Sequence, residues 1–146
     1  MKLSTKGRYG VKAMADLAIN YGKDPISIKS ISGRQNISEY YLEQLFSALR
    51  KAKLIKSIRG SGGGYILGKA PKEITVYEIL DVLEGPIEIS NCLDSDVCTN
   101  VECCATRAVW RKIKDSIDSV TSSITLQDIV DDYNNIVTIK GVNINE

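Results

Sequence analysis

Four cysteines, Cys92, Cys98, Cys103 and Cys104, fall within one short stretch, and the chain has no histidine. A thiolate can act as a nucleophile, a redox centre or a metal ligand, depending on its surroundings. The N-terminal residues Met1 to Arg8 are polar and basic. They lack the apolar core of a secretory signal, and a cytoplasmic protein is expected. A disulfide framework is not expected there, so the clustered cysteines point to a metal or redox role. Without histidine, no nucleophile with a base and an orienting group is visible, and an enzyme is not expected. A second segment with chemical potential is Gly60-Ser61-Gly62-Gly63-Gly64. A phosphate-cradling loop would need a Lys-Ser/Thr pair and a helix opening directly after it. Neither follows here.

Charge separates the chain into two halves. Residues 1–73 carry 14 Lys and Arg against 5 Asp and Glu, a net of +9, while residues 74–146 carry 5 against 13, a net of −8. A basic first half suits a polyanion, and an acidic second half would be repelled by one. No run of eighteen apolar residues exists among the 146, so no membrane span is expected.

The elements that position these segments follow from periodicity. Tyr9, Ala13, Leu17 and Tyr21 recur every four residues, with Met14 and Ala18 beside them, which predicts a helix over 5–21. Ser27 caps a short helix over 28–34. Gly33 to Asn36 form a tight connection with Ile37 beneath it. Ser38 caps the next helix, 39–52, whose stripe is Tyr41, Leu42, Leu45, Phe46 and Leu49. Two short helices joined by a tight turn outline a helix-turn-helix. Leu54 to Arg59 and Tyr65 to Leu67 read as strands. The glycine loop between them then becomes a hairpin tip, slim enough to approach another molecule closely. A hairpin after a helix-turn-helix is a wing.

Thr75 to Glu78 is a capping-box pattern opening a helix over 76–83, and Gly85-Pro86 ends it. Residues 86–103 read as an irregular loop carrying the cysteines. A long helix is expected over 105–123. Its Trp110, Ile113, Ile117, Val120 and Ile124 are spaced three, four, three and four apart, the seam of a helix packed on a similar helix. Burial in a single-domain core is the alternative. Thr125 to Asp128 opens a final helix to about 134, and Ile136, Val137, Ile139 and Val142 suggest a terminal strand or tail. The fold class is mainly α: a winged helix-turn-helix domain (1–84), a cysteine-containing sensor loop (85–104), and a dimerisation helix with a C-terminal element (105–146).

On this reading the outer face of the 39–52 helix enters the major groove. Ser38, Glu39, Tyr40, Glu43, Gln44 and Ser47 are candidate base readers, since Glu accepts from cytosine N4 and Gln pairs with adenine. Arg50, Lys51, Lys53 and the N-terminal Lys2, Lys6 and Arg8 are candidate phosphate contacts. Arg59, with Ser61 beside it on the wing, suits a narrow minor groove. Glu43 and Arg59 can also be read as ordinary solvated charges.

The stretches Leu3 to Tyr9, Ser38 to Leu45 and Ile58 to Tyr65 together resemble the IscR-type iron–sulfur regulators, within the wider winged-helix family that also contains the cysteine-metabolism repressor CymR. The resemblance covers almost the entire chain. It implies a homodimer with a crossed dimerisation helix on palindromic double-stranded operator DNA. It also implies a [2Fe-2S] cluster in the cysteine loop. The matching cysteines are Cys92, Cys98 and Cys104, spaced C-x5-C-x5-C. Three thiolates suit an iron–sulfur centre or zinc; cysteines that bind nothing and respond to oxidation are the third alternative. The family pattern has a histidine three residues after the last cysteine, where this chain has Arg107. A guanidinium has no lone pair to donate, which leaves the fourth ligand open among Cys103, Asp94, Asp96, Glu102 and a group from the other subunit, with a labile three-cysteine cluster as a further option.

Overall fold

In the computed structural model, residues 3–89 and 101–141 are described, with backbone alone for 101–104. Helix α1 (Thr5–Ile19) begins where Ser4 Oγ accepts from the Gly7 N–H at 3.3 Å. Its inner stripe, Ala13, Met14, Leu17 and Ala18, is buried. Gly7 and Gly10 face α4 (Val76–Glu84) so closely that a Cβ on Gly10 would lie 2.0 Å from Leu83 Cδ1. The Glu84 carboxylate accepts from the Ser4 backbone N–H at 3.0 Å and from the Ser4 hydroxyl.

Helix α2 (Ile28–Gln35) is capped by Ser27, whose Oγ accepts from the Ser30 N–H at 3.1 Å. It runs one residue beyond the expected end and stops at Asn36, at φ 55° and ψ 48°. Asparagine tolerates this left-handed conformation better than most residues do. Ile37, only 4% exposed, packs beneath the turn. Helix α3 (Glu39–Lys51) buries Leu42, Leu45, Phe46 and Leu49. The Phe46 and Tyr65 rings meet edge to face at 4.8 Å, which fixes α3 against the hairpin.

The hairpin pairs β1 (Ile55–Ile58) antiparallel with β2 (Gly64–Leu67), from Ile55 opposite Leu67 to Ile58 opposite Gly64. At its tip the Gly63 N–H donates to the Gly60 carbonyl at 3.0 Å. Gly60 and Gly62 have φ of 103° and 76°, values that side chains with a Cβ rarely adopt. The connection between α1 and α2 joins the sheet: the Ile26 N–H donates to the Tyr65 carbonyl at 3.0 Å, and the Tyr65 N–H returns to the Ile26 carbonyl at 2.8 Å. A short 3₁₀ turn, Pro71–Glu73, leads into α4, whose cap Thr75 accepts from the Glu78 N–H at 3.1 Å.

Two differences from the sequence reading concern the C-terminal half. Helix α5 (Val101–Ser123) begins four residues earlier than expected, so the backbone of Cys103 and Cys104 lies in its first turns rather than in a loop. Helix α6 (Leu126–Lys140) absorbs the expected terminal strand: Ile136, Val137 and Ile139 are helical, and Gly141 ends the helix at φ 60°. The Thr125–Asp128 capping box forms as expected, with bonds of 3.2 and 2.9 Å. The nucleus it provides carries the helix through a β-branched run that would otherwise favour a strand. Val142 lies outside the described residues. The caps of α4 and α6 stand side by side, where the Val76 N–H donates to the Ile124 carbonyl and the Leu126 N–H to the Ile74 carbonyl, both at 2.9 Å. Leu126 is fully buried in the same core as α1, α3 and α4, so α6 packs back onto the winged domain.

Candidate nucleic-acid interface and cysteine segment

The buried stripe of α3 leaves the opposite face open. Glu39, Tyr40, Glu43, Gln44, Arg50 and Lys51 are exposed on it, Tyr40 by 72%. Ser47 is half-buried. Ser38 is exposed, but its Oγ already accepts from the Tyr41 N–H at 3.2 Å as the helix cap. The hydroxyl hydrogen stays free to donate elsewhere. Lys6 and Arg8 are exposed on α1, and Arg59 and Ser61 at the wing. Lys2 is outside the described residues. The α2 N-terminus (Ser27, Ser30) and the wing tip (Ser61 to Gly63) border one open cleft, which places the wing beside the helix-turn-helix.

Sequence reading missed the group that holds this arrangement together. Asp16, on α1, is 3% exposed. Its carboxylate accepts from Arg34 Nε at 3.0 Å, Arg34 Nη2 at 2.7 Å and Gln35 Nε2 at 3.0 Å. Both donors sit in the last turn of α2, just before the turn into α3. The hydrogen bonds to Asp16 raise the Arg34 pKa above its ordinary value, against a smaller opposing effect of burial. The one signal in the sequence is an acid inside the apolar face of α1, and periodicity does not identify a partner eighteen residues away.

The seam residues of α5 behave unequally. Trp110 and Ile117 are half-buried, whereas Ile113 is 36% and Val120 56% exposed. Val109, which lies outside the heptad seam, is 50% exposed. An apolar strip therefore runs along the open side of α5.

Cys92 and Cys98 lie outside the described residues, and Cys104 is described by backbone alone. The donor set suits a soft, thiophilic centre. Arg107 sits one helical turn beyond Cys104 and cannot ligate. Its Nε is buried and has no hydrogen-bond acceptor among the described residues. A buried N–H of this kind calls for an anion or acceptor, and a thiolate-ligated cluster is one. The residues therefore fit such a group. Among the described residues no cluster of three metal-ligating side chains occurs, and no helix is long and apolar enough to cross a membrane.

A capped helix-turn-helix with an exposed second helix, a glycine-tipped hairpin beside it and a long helix with an apolar strip define a winged helix-turn-helix transcription regulator. The chain belongs to the Rrf2 family, described as iron-dependent transcriptional regulators, whose pattern matches residues 3–132. It is 49% identical over 129 residues to the transcriptional regulator CymR of Bacillus subtilis, covering 88% of this chain and 89% of that one. The solved structure of that protein, described as the global cysteine regulator of B. subtilis, superposes with a TM-score of 0.79 at 47% identity, covering 90% and 97% of the two chains. The regulator IscR of Photorhabdus laumondii is 44% identical over 130 residues, 89% of this chain and 79% of its own. The structure of T. potens IscR gives a TM-score of 0.76 at 49% identity, covering 91% and 88%. These relatives are named as regulators of transcription, and the chain is a regulator rather than an enzyme.

Proposed function

We propose that the protein works as a homodimer on palindromic operator DNA and senses iron–sulfur status through a [2Fe-2S] cluster. The exposed strip Val109, Ile113 and Val120 supports the dimer, since closed two-fold dimers are the commonest way to cover such a face. In the dimer the two α3 helices enter successive major grooves, about 34 Å apart. Glu43 and Gln44 read base edges, Arg59 enters the minor groove, and Lys6, Arg8, Arg50 and Lys51 hold phosphates.

Cys92, Cys98 and Cys104 would hold the cluster, with the fourth ligand outside position 107. When bound, the cluster supplies a redox- and supply-dependent charge and order to the segment between α4 and α5. The observation that carries this reading is the buried Arg107 Nε, without an acceptor among the described residues, one turn from Cys104. The guanidinium there offsets the charge of a thiolate-ligated centre instead of coordinating it. Anaerobic reconstitution should give about two irons and two sulfides per chain with a visible absorption band. Replacing any of the three cysteines should abolish it, and Arg107→Ala should retain it more weakly. Cys103→Ala separates a thiolate fourth ligand from a carboxylate one.

A second reading is supported by the 49% identity to the B. subtilis regulator together with Arg107. In it the protein regulates cysteine or sulfur metabolism without a cluster, through thiol oxidation or a partner protein. Protein that takes up only zinc, or no metal, after careful reconstitution selects this reading over the first.

A further inference from the structure

We propose that the outer edge of the wing hairpin is a second DNA-backbone track, built by Lys53, Lys56 and Lys69 between Arg50 and Arg59, which engages duplex flanking the operator. The proposal rests on the reading that α3 and the wing face DNA and extends that surface along the hairpin.

An open groove runs between the last turn of α3 and β1, and all five of these cations line it while no carboxylate does. Only Lys69 has an acidic partner among the described residues, Glu78 at 3.0 Å. The other four are uncompensated, so the groove favours a polyanion. Its position is decisive. Among the described residues β1 pairs with β2 alone, and the Ile26 bridge lies on the far side of β2. The groove therefore follows the open edge of β1, continuous with Arg59 at one end and Arg50 at the other. Strand β1 itself runs about 10 Å from Ile55 to Ile58, with Lys53 and Arg59 beyond its two ends, and B-DNA presents a phosphate charge about every 1.7 Å of axis. The cations thus span several phosphates.

Lys53 adds an independent sign. It makes the corner between α3 and β1 at φ 64°, with its N–H donating to the Arg50 carbonyl at 2.9 Å. A left-handed conformation is less favourable for a residue with a Cβ than for glycine. A lysine at such a corner keeps a charged side chain where glycine would fit more easily, and outliers of this kind cluster at functional positions. Lysines on an open strand edge also discourage strand-to-strand aggregation. That role predicts an effect on solubility and none on DNA.

The test uses full-length protein and an operator duplex selected by the wild type from a random library. The duplex is prepared trimmed to the selected site and with about ten added base pairs on each side, one further helical turn. Binding is followed by fluorescence anisotropy across a salt series. On the flanked duplex, Lys56→Gln should make the slope of log K against log salt shallower by about 0.9, and Lys56→Gln with Lys69→Gln by about 1.8. On the trimmed duplex both should match wild type, and preference for operator over random DNA should not change. Lys56→Arg should restore the slope. Because Lys56 is exposed, its variant keeps the fold, which thermal unfolding checks. Wild-type slopes for both variants on the flanked duplex overturn the track. So does an equal loss on both duplexes, or a change confined to solubility. If wild type selects no DNA, or Arg59→Ala leaves binding unchanged, the underlying DNA reading fails instead.

Discussion

Replacing Arg34 with methionine keeps the length of the side chain and removes one side of the Asp16 clasp. The buried carboxylate then retains a single neutral donor, Gln35 Nε2 at 3.0 Å. Removing one partner of a fully buried ion pair costs about 3–5 kcal/mol. Here Asp16 is buried, but the Arg34 side chain is 37% exposed, so solvent screens the cationic half and reaches the gap. We expect a loss of about 2 kcal/mol, below that range. At about 2–4 °C per kcal/mol for a chain of this size, Tm should fall by about 4–8 °C. Asp118→Asn is the control. It breaks the Lys114–Asp118 pair along α5, 2.9 Å long, and should cost about 0.3–0.5 kcal/mol. The assay is thermal and urea unfolding at one fixed protein concentration, because the stability of the proposed dimer would depend on concentration. Adding Asp16→Asn to Arg34→Met should recover part of the loss, since no unpaired carboxylate remains. Operator affinity should fall more for Arg34→Met than for Asp118→Asn, because the clasp ends one residue before the turn into α3. An Arg34→Met protein within about 0.5 kcal/mol of wild type, with no recovery in the double variant, would refute the reasoning.

Changing both Ile113 and Ile117 to Asp should give monomers in analytical ultracentrifugation and sharply weaken operator binding; an unchanged dimer rejects the α5 assignment. Arg59→Ala should weaken binding and alter preference at the minor-groove position, and Glu43→Gln should change base preference more than affinity. Selection from randomised operators checks both, and equal effects on random and operator DNA count against this division. Gly64→Ala brings a Cβ within 2.4 Å of the Ile26 carbonyl oxygen and should cost about 1–3 kcal/mol as overpacking, measured by thermal unfolding. Leu126→Ala empties a fully buried position and should cost about 2–5 kcal/mol, with the winged domain losing protection in hydrogen exchange together with α6.

The elements that pack on one another within short stretches of chain are legible in the amino-acid sequence. Ser27, Ser38, Thr75 and Thr125 each cap the helix expected of them, because capping is a contact over three residues. Leu42, Leu45, Phe46 and Leu49 are the buried stripe that periodicity predicts. The glycine loop forms a hairpin tip because Gly60 and Gly62 take the positive φ that the tight turn needs. What the sequence hides is long-range or ambiguous. The Asp16 clasp and the Ile26–Tyr65 bridge join residues whose spacing carries no signal. The end of α6 reads as a strand because Ile136, Val137 and Ile139 have strand propensity, which the capped helix preceding them overrides. At the candidate interface, the exposed face of α3 follows from its pattern. The open edge of β1 does not, since Lys56 and Lys69 are ordinary surface lysines until the pairing shows which side of the hairpin is free.

The paired caps at Thr75 and Thr125 have a consequence for how the chain can be altered. Those two residues are joined by hydrogen bonds on both sides, so the chain from Thr75 to Thr125, α4 and α5 included, is closed at one point. In thermodynamic terms the intervening segment is a closed loop whose ends the core already fixes. The entropy of closing such a loop rises only with the logarithm of its length, about 0.6 kcal/mol for each doubling. The DNA-reading half is therefore nearly indifferent to how long that excursion is. Arms of different length, or arms responding to a different signal, can be grafted between α4 and α6 while the reading head stays folded, provided that Thr75 and Thr125 still meet.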